Sequence, residues 1–429
     1  MKVSFYTLGC KVNQYESQVM SETLAKHGYE TVSTKEKADV FIINSCTVTS
    51  VADAKTRQAV RRFKRNNPES VVVLTGCMPQ AYPERAIELV EADIVMGNKN
   101  NDKLLHFIDE FVKNGRRITS IAQHEKGEKF SSSAITTFDE RTRAYIKIQD
   151  GCNRFCSYCI IPYSRGRVRS KPLDELKAEL EKVAKNGYTE VVLVGINLSS
   201  YGQDSGDSFP AAVRLANDTV GIERVRLGSL EPDHLTDEVI TELSKCEKLC
   251  PQFHLSLQSG AESTLKAMNR QYTAAEFEQI CNKLRECFDD CTLTTDVMVG
   301  FAGETDEVFA ENLDFVKKIG FEKVHIFPYS IRTGTRAEKM SGHIEKCVKE
   351  KRCHLMNDVM GEVRSEFLQN QVGKTVEVLF ETTLKDEFVC GHTRNFTPVK
   401  VSHDDGVCGE YANVKITGVD GDFCVGEII

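Results

Sequence analysis

The chain alternates short apolar runs with longer amphipathic ones, then gives up that alternation near its end. Lys2 to Leu8 reads as a strand, and Asn13 to His27 as a helix closed by Gly28. Ala38 to Asn44 (ADVFIIN) and Ser70 to Thr75 (SVVVLT) have the continuous apolar character of strands buried on both faces. A basic helical stretch separates them, and Asp93 to Met96 adds a further short strand before another helical stretch. This β-α-β-α order predicts a doubly wound parallel sheet in an α/β domain over residues 1–122.

Residues from Gln123 to Phe138 are polar and read as a linker. The pattern restarts with Ala144 to Gln149, followed by a helix from Leu173 to Lys185 that Asn186 and Gly187 end. Further strands are expected at Glu190–Val194, Arg224–Leu227, Gln252–Leu257, Leu293–Val299 and Lys323–Pro328. Six strands separated by helical stretches predict a full or partial β/α barrel over residues 138–368. From Lys374 onward the apolar runs are short (TVEVLF, PVKVS, ANVKITGV) and divided by Gly, Asp and Asn turns. That pattern predicts a small antiparallel β-barrel over residues 371–429.

Composition narrows the setting. No run of eighteen apolar residues exists to span a membrane, and MKVSFYTLGC lacks the apolar segment of a secretory signal. A cytoplasmic protein is expected, whose sixteen cysteines are metal ligands and buried thiols, not a disulfide framework. A net charge of −8 argues against broad nonspecific nucleic-acid binding, DNA included.

The densest chemistry is Cys152-x3-Cys156-x2-Cys159, in GCNRFCSYCIIPYSRG. Three thiolates this close can hold three irons of a cubane cluster and leave the fourth open for chemistry. A zinc knuckle would need a fourth ligand, and no His lies within twenty residues of Cys156. A disulfide would leave one thiol over. Three more cysteines, Cys10, Cys46 and Cys77, each follow one of the first predicted strands, in the contexts LGC, NSC and TGC. Strand ends of a parallel sheet gather along one edge, so these three either converge as a second thiolate set or are ordinary buried thiols. Cys246, Cys250, Cys287 and Cys291 read as buried thiols on helix faces.

CxxxCxxC at the end of a first barrel strand resembles the radical S-adenosylmethionine superfamily, and the whole chain resembles its methylthiotransferases. The resemblance rests on TLGCKVNQYES, INSCTVT, TGCMPQ, IQDGCNRFCSYCIIPYSRG, HLSLQSG, DVMVGFAGET and FPYSIRTGT. It implies two 4Fe–4S clusters, an auxiliary one on Cys10, Cys46 and Cys77 and a radical-forming one on the catalytic Cys152, Cys156 and Cys159. It also implies S-adenosylmethionine as cofactor, with Tyr158 presenting its backbone to the adenine and the C-terminal barrel a TRAM domain. Gln258 and Asp296, at predicted strand ends, are further cofactor-pocket candidates. The implied partners are tRNA and an electron donor such as flavodoxin or ferredoxin. GCKVNQYES resembles the branch that methylthiolates C2 of N6-threonylcarbamoyladenosine beside the anticodon. The isopentenyladenosine branch reads nearer to GCQMN, and the branch acting on a ribosomal-protein aspartate nearer to GCPKN. Ala302 and Ser256 stand where the family usually has Pro. A non-catalytic iron–sulfur RNA-binding or redox-sensing protein is the competing class, but it needs no barrel behind Cys152.

Candidate RNA contacts are local. KTRQAVRRFKR, residues 55–65, holds six cations and no acid, and Arg57, Arg61 and Lys64 share a helical face. Such a run is equally a solvated helix face. Arg165, Arg167 and Arg169 flank the cysteine motif, where phosphate contact and structural ion pairing are both open. The last segment has five Lys or Arg against ten Asp or Glu, a poor RNA clamp. Phe388, His392, Arg394 and Phe396 offer either a stacking face or barrel packing.

Overall fold

The computed structural model describes residues 1–131, 142–384, 388–402 and 408–429. Six parallel strands form the first sheet: β1 (Lys2–Thr7), β2 (Glu30–Thr31), β3 (Val40–Ser45), β4 (Val71–Gly76), β5 (Ile94–Met96) and β6 (Ile118–Ser120). Their order is β2-β1-β3-β4-β5-β6. Helix α1 (Lys11–Ala25) and the helix Leu104–Asn114 cover one face, where Met20, Leu24, Leu104 and Ile108 pack on Val40, Ile42, Val71 and Val73. Helix α2 (Ser50–Asn66) covers the other, packing Ala59, Val60 and Phe63 on Phe41, Ile43, Val72 and Leu74. Strands buried on both faces explain the unbroken apolar runs.

The polar stretch after Gln123 falls partly outside the described residues. Its described part is not a free linker. His124 binds Glu128 at 2.8 Å, and Glu128 also pairs with Lys99 and Arg169, so the segment straps the first domain to the barrel.

The barrel begins with β7 (Arg143–Lys147) and a small pair, β8 (Gln149–Asp150) with β9 (Arg169–Ser170). It continues with β10 (Glu190–Val194), β11 (Arg224–Leu227), β12 (Gln252–Gln258), β13 (Thr292–Val299) and β14 (Lys323–Pro328). Strands β7, β10 and β11 pair in parallel, as do β12, β13 and β14, and isolated bridges at Val225–Leu249 and Leu230–Leu255 join the halves. The barrel is therefore open between β7 and β14. Alternation divides its residues. Ile146, Val191, Leu193, Val225, Leu255, Leu293 and Val297 face the surrounding helices in one large core. The residues between them face the lumen, and many are polar: Arg143, Glu190, Arg226, His254, Thr294, Asp296 and His325.

Ser256 has a local role that its usual replacement would not. Its amide donates to the Leu230 carbonyl at 3.0 Å, a bond that joins the two halves of the barrel and that proline cannot make.

Five strands close the C-terminal barrel in the order β15-β16-β17-β19-β18: β15 (Thr375–Leu384), β16 (Phe388–Thr393), β17 (Pro398–Ser402), β18 (Tyr411–Asp420) and β19 (Phe423–Ile428). Four of its pairings are antiparallel, and the closure of β17 on β19 is parallel. This domain seals the lower end of the large barrel. Arg226 donates to the Thr393 and Arg394 carbonyls at 2.7 and 2.8 Å, and Arg224 to the His392 carbonyl at 3.2 Å. The fully buried Glu190 lies 2.8 Å from Arg226, 3.1 Å from Arg143 and 3.8 Å from Arg224. Burial alone would raise its pKa, but the arginines hold it below the usual carboxylate range.

Removing one partner from a buried ion network leaves the others uncompensated. Glu190→Ala is therefore expected to cost about 3–5 kcal/mol, read as a lowered midpoint in denaturant unfolding.

Candidate active site

Each residue of the scattered cysteine set sits where its strand ends. Cys10 is the residue before α1, Cys46 follows β3, and Cys77 opens helix α3 (Cys77–Ala81) directly after β4. Two glycines permit the approach. Gly9 has φ +112°, and a Cβ there would lie 2.9 Å from the Cys46 Cβ and 3.2 Å from its sulfur. Gly76 has φ +97°, and its Cβ would meet the Ser45 backbone at 2.5 Å. Only glycine suits both positions. Asn13 stitches the loops together, donating to the Leu8 carbonyl at 2.9 Å and the Ser45 carbonyl at 3.0 Å. Ser45 Oγ donates to the Thr75 carbonyl at 2.6 Å and accepts from the Met78 amide at 3.2 Å.

The thiols feel one another. Burial pushes the Cys77 thiol up to about 12; the Arg165 charge opposes this, while Cys46 and Cys10 add to it. Burial also raises Cys46, with Cys10 contributing. Cys152 and Cys159 are raised in the same way, first by burial and then by charges within their own set. Such thiols ionise when a metal takes the place of the proton. Donors already point at the sulfurs. Arg165 Nε lies 3.2 Å from Cys77 Sγ, Arg270 Nη1 3.4 Å from Cys156 Sγ, and the Arg154 amide 3.5 Å and Asn197 Nδ2 3.6 Å from Cys152 Sγ. N–H groups aimed at sulfur suit thiolates on an iron–sulfur cluster, whose charge they temper.

The cysteine loop is held against the barrel rim. The Cys152 amide donates to the Gly166 carbonyl at 3.0 Å, and Ser157 donates from its amide to Met268 and from its hydroxyl to Ala267, both at 2.9 Å. Phe155, within the loop, has φ +49°. The Tyr158 ring packs edge-on to Phe301 at 6.3 Å, and its hydroxyl lies 3.5 Å from Arg270. Gln258 ends β12 with φ +67° and is buried; Asp296 is half-buried in the lumen beside His254, at 3.4 Å. His254, Asp296 and His325 form one compact group.

Several charged residues that the sequence did not single out build the rim. Arg270 donates to the Ser256 carbonyl at 2.7 Å and pairs with Glu231 at 2.5 Å. Arg154 pairs with Asp233 and binds His234 at 2.7 Å. GCKVNQYES also carries Glu16, which turns out to be a buried acid.

The proposed RNA contacts need correction at two residues. Arg165 is only 1% exposed. It binds both oxygens of Glu16, the Asn13 carboxamide at 2.8 Å and the Cys77 sulfur, so it cannot meet phosphate. Lys64 is tied to Asp93 at 2.9 Å and to the Ser70 carbonyl at 3.0 Å. Arg61 is exposed beside Glu91 at 3.4 Å, and Arg57 is half-buried. Arg167 is exposed, stacked over Phe155 at 4.6 Å. Arg169 lies buried near Asp150 and Glu128. In the C-terminal barrel, packing wins over a stacking face. Phe396 stacks on His392 at 4.1 Å and lies beneath Arg143 and Arg226, while Arg394 binds the Glu247 carbonyl. Phe388 lies under Lys400. The four outlying cysteines also differ from expectation, since only Cys287 lies on a helix; Cys246, Cys250 and Cys291 occupy connections.

Comparison with known proteins agrees with the geometry. Residues 2–97 match the uncharacterized protein family UPF0004, and residues 146–316 the radical SAM superfamily. The chain is 36% identical over 420 residues to the threonylcarbamoyladenosine tRNA methylthiotransferase MtaB of Bacillus subtilis (strain 168), covering 96% of this chain and 93% of that one. The chain belongs to the radical SAM methylthiotransferases. It is also 34% identical to a tRNA-2-methylthio-N(6)-dimethylallyladenosine synthase of Clostridium botulinum (strain Langeland), covering 99% and 96% of the two chains. Its fold resembles the radical S-adenosylmethionine methyltransferase TsrM from Kitasatospora setae, with a TM-score of 0.56 at 14% identity over 76% of this chain and 74% of that one. The enzyme's cofactors are S-adenosylmethionine and two 4Fe–4S clusters. No helix among the described residues is long and apolar enough to cross a membrane.

The buried acids give a pH prediction. Burial alone would raise Glu16 and Asp150, but the charges of Arg165 and Lys147 outweigh it and hold both below their usual values of 4.5 and 3.8. The unfolded chain then binds more protons, so this stabilisation is complete above about pH 4.5 and is lost as pH falls through the folded values. Anaerobic thermal unfolding from pH 7 to pH 3 should show falling stability over that window, with a shallower fall in Glu16→Gln.

Proposed function

We propose that the enzyme methylthiolates C2 of N6-threonylcarbamoyladenosine at position 37 of tRNA, forming the 2-methylthio derivative. The observation that carries this reading is that the segment following one cysteine set reaches the other set with one buried side chain. Arg165 lies six residues past Cys159 and donates to Cys77. In this reading Cys152, Cys156 and Cys159 hold the cluster that binds S-adenosylmethionine, while Cys10, Cys46 and Cys77 hold the auxiliary one. Reduced at that first cluster, S-adenosylmethionine supplies the hydrogen-abstracting chemistry that an unactivated C–H bond requires, which side-chain acids and bases do not. Arg270, Asn197 and the Arg154 amide orient and temper the first thiolate set; Arg165 does so for the second. Residues 1–122 form the sulfur-delivering domain, 138–368 the radical barrel and 371–429 the TRAM domain. The enzyme works in the cytoplasm and takes its electron from a small donor such as flavodoxin or ferredoxin.

The threonylcarbamoyl branch is supported by GCKVNQYES and by relatives of that name in Bacillus subtilis and in Thermotoga maritima, the latter 35% identical over 416 residues. Mass spectrometry of tRNA nucleosides tests it. A strain lacking the gene should accumulate threonylcarbamoyladenosine without its 2-methylthio form, and the restored gene should bring that form back. Accumulation of unmodified isopentenyladenosine instead would assign the other branch.

The two sets should separate by mutation. Cys46→Ala is expected to form deoxyadenosine from S-adenosylmethionine at near wild-type rate yet yield no methylthio product. Cys156→Ala should lose both. Chromatography of the two products checks this, and a Cys46→Ala enzyme that methylthiolates normally would refute the auxiliary assignment.

A further inference from the structure

One ammonium group at the site has no partner among the described residues. Lys11 follows Cys10 and opens α1, and among the described residues its side chain makes no hydrogen bond or ion pair. Its neighbour Val12 is buried against Val192 and Val194 of β10, with Tyr145 of β7 alongside. The first turn of α1 therefore packs on the lumen-facing side of β10 and β7, beside the edge where β7 and β14 leave the barrel open. Lys11 remains open to solvent there. Arg143 and Arg226 stand close enough to act on it, and it acts in turn on His325, which is also solvent-exposed. Among the described residues, the acids around it are already engaged. Glu190 is held by Arg143 and Arg226, Glu381 by Arg143 and His392, and Asp296 by His254.

A solvent-exposed cation within electrostatic reach of two guanidiniums is complementary to an anion. The two substrate branches differ at this chemistry. A threonylcarbamoyl group ends in a carboxylate, whereas an isopentenyl group is wholly apolar. An apolar substituent would take water from Lys11 and give it no partner, which a site built for a polar group rejects strongly.

We propose that Lys11 is the specificity-determining contact for the carboxylate of the substrate's N6 substituent, with His325 bordering the same space. This rests on the substrate reading above. The test is steady-state methylthiolation by the cluster-loaded enzyme of three anticodon stem-loop RNAs. One carries threonylcarbamoyladenosine, one its carboxamide counterpart and one isopentenyladenosine. Wild type should favour the carboxylate RNA. Lys11→Met should raise KM for that RNA about ten- to a hundredfold and erase the preference over the carboxamide, with Lys11→Arg retaining most of it. Should Lys11→Met load its auxiliary cluster poorly, equilibrium binding of the carboxylate and carboxamide RNAs decides, since discrimination must vanish there too. The assignment is overturned if Lys11→Met keeps that discrimination, or if it lowers kcat alike for both RNAs with KM unchanged. If wild type modifies only the isopentenyl RNA, the substrate reading itself falls, whatever Lys11 does.

Discussion

The structure depends on one buried guanidinium. Arg165 leaves the radical loop six residues after its last cysteine, enters the first domain and fills a socket made by Glu16, Asn13 and the Cys77 sulfur. Lys147 of β7 reaches the same Glu16 at 2.9 Å, and Asp150 pairs with Lys147 as well. A buried charge without partners is prohibitively costly, so the two domains cannot separate without stranding several charges at once. The distance between the two cysteine sets is thus fixed by electrostatics as much as by apolar packing. Chemistry that passes an atom between two centres requires that constraint, because a small displacement of reacting groups is expensive.

The barrel lumen follows from the same economy of charge. A six-stranded parallel sheet curled around an apolar interior would have no use for Arg143, Glu190, Arg224 and Arg226 at its base. Here they form a plug, satisfied by carbonyl groups of the C-terminal domain. That domain is acidic overall, and its most promising stacking residues are spent at this junction, with Phe396 beneath two arginines. Its position closes the lower end of the lumen, which leaves the rim and the β7–β14 gap as the ways in.

How much of this was legible depends on the range of the forces concerned. Strand and helix identity is local, and the runs at Val40–Ser45, Val71–Gly76 and Glu190–Val194 were visible because burial on both faces leaves an unbroken apolar signature. The placing of Cys10, Cys46 and Cys77 at strand ends followed from the same runs. What stayed hidden was the pairing of charges far apart in sequence. Arg165 and Glu16 are 149 residues apart, and a lone arginine beside a cysteine motif looks the same whether it meets phosphate or a carboxylate. Lys64 belonged to a basic run whose acid partner, Asp93, arrives only when β5 docks. His124 and Glu128 looked like linker because strapping contacts carry no periodicity.

The motif GCKVNQYES gains a physical reading residue by residue. Cys10 supplies a thiol, and Asn13 ties two loops while accepting from Arg165. Tyr15 reaches Glu179 at 2.9 Å, Glu16 anchors Arg165, and Ser17 accepts from Asn44 at 3.1 Å. Each of these contacts holds the site together, and any enzyme with this architecture needs their equivalents. Lys11 is different, because its ammonium has no hydrogen-bond or ion-pair partner among the described residues. It is exposed beside the open edge of the barrel, within electrostatic reach of Arg143 and Arg226 as well as of Cys10. An anion entering there would offset the repulsion between Lys11 and the two arginines. Because Lys11 adjoins Cys10, on the proposed assignments the turn that would read the substituent would also hold the auxiliary cluster. Recognition and delivery would then share one rigid element, and a substrate without the matching anion would meet both an unpaired charge and a poorly placed reaction partner.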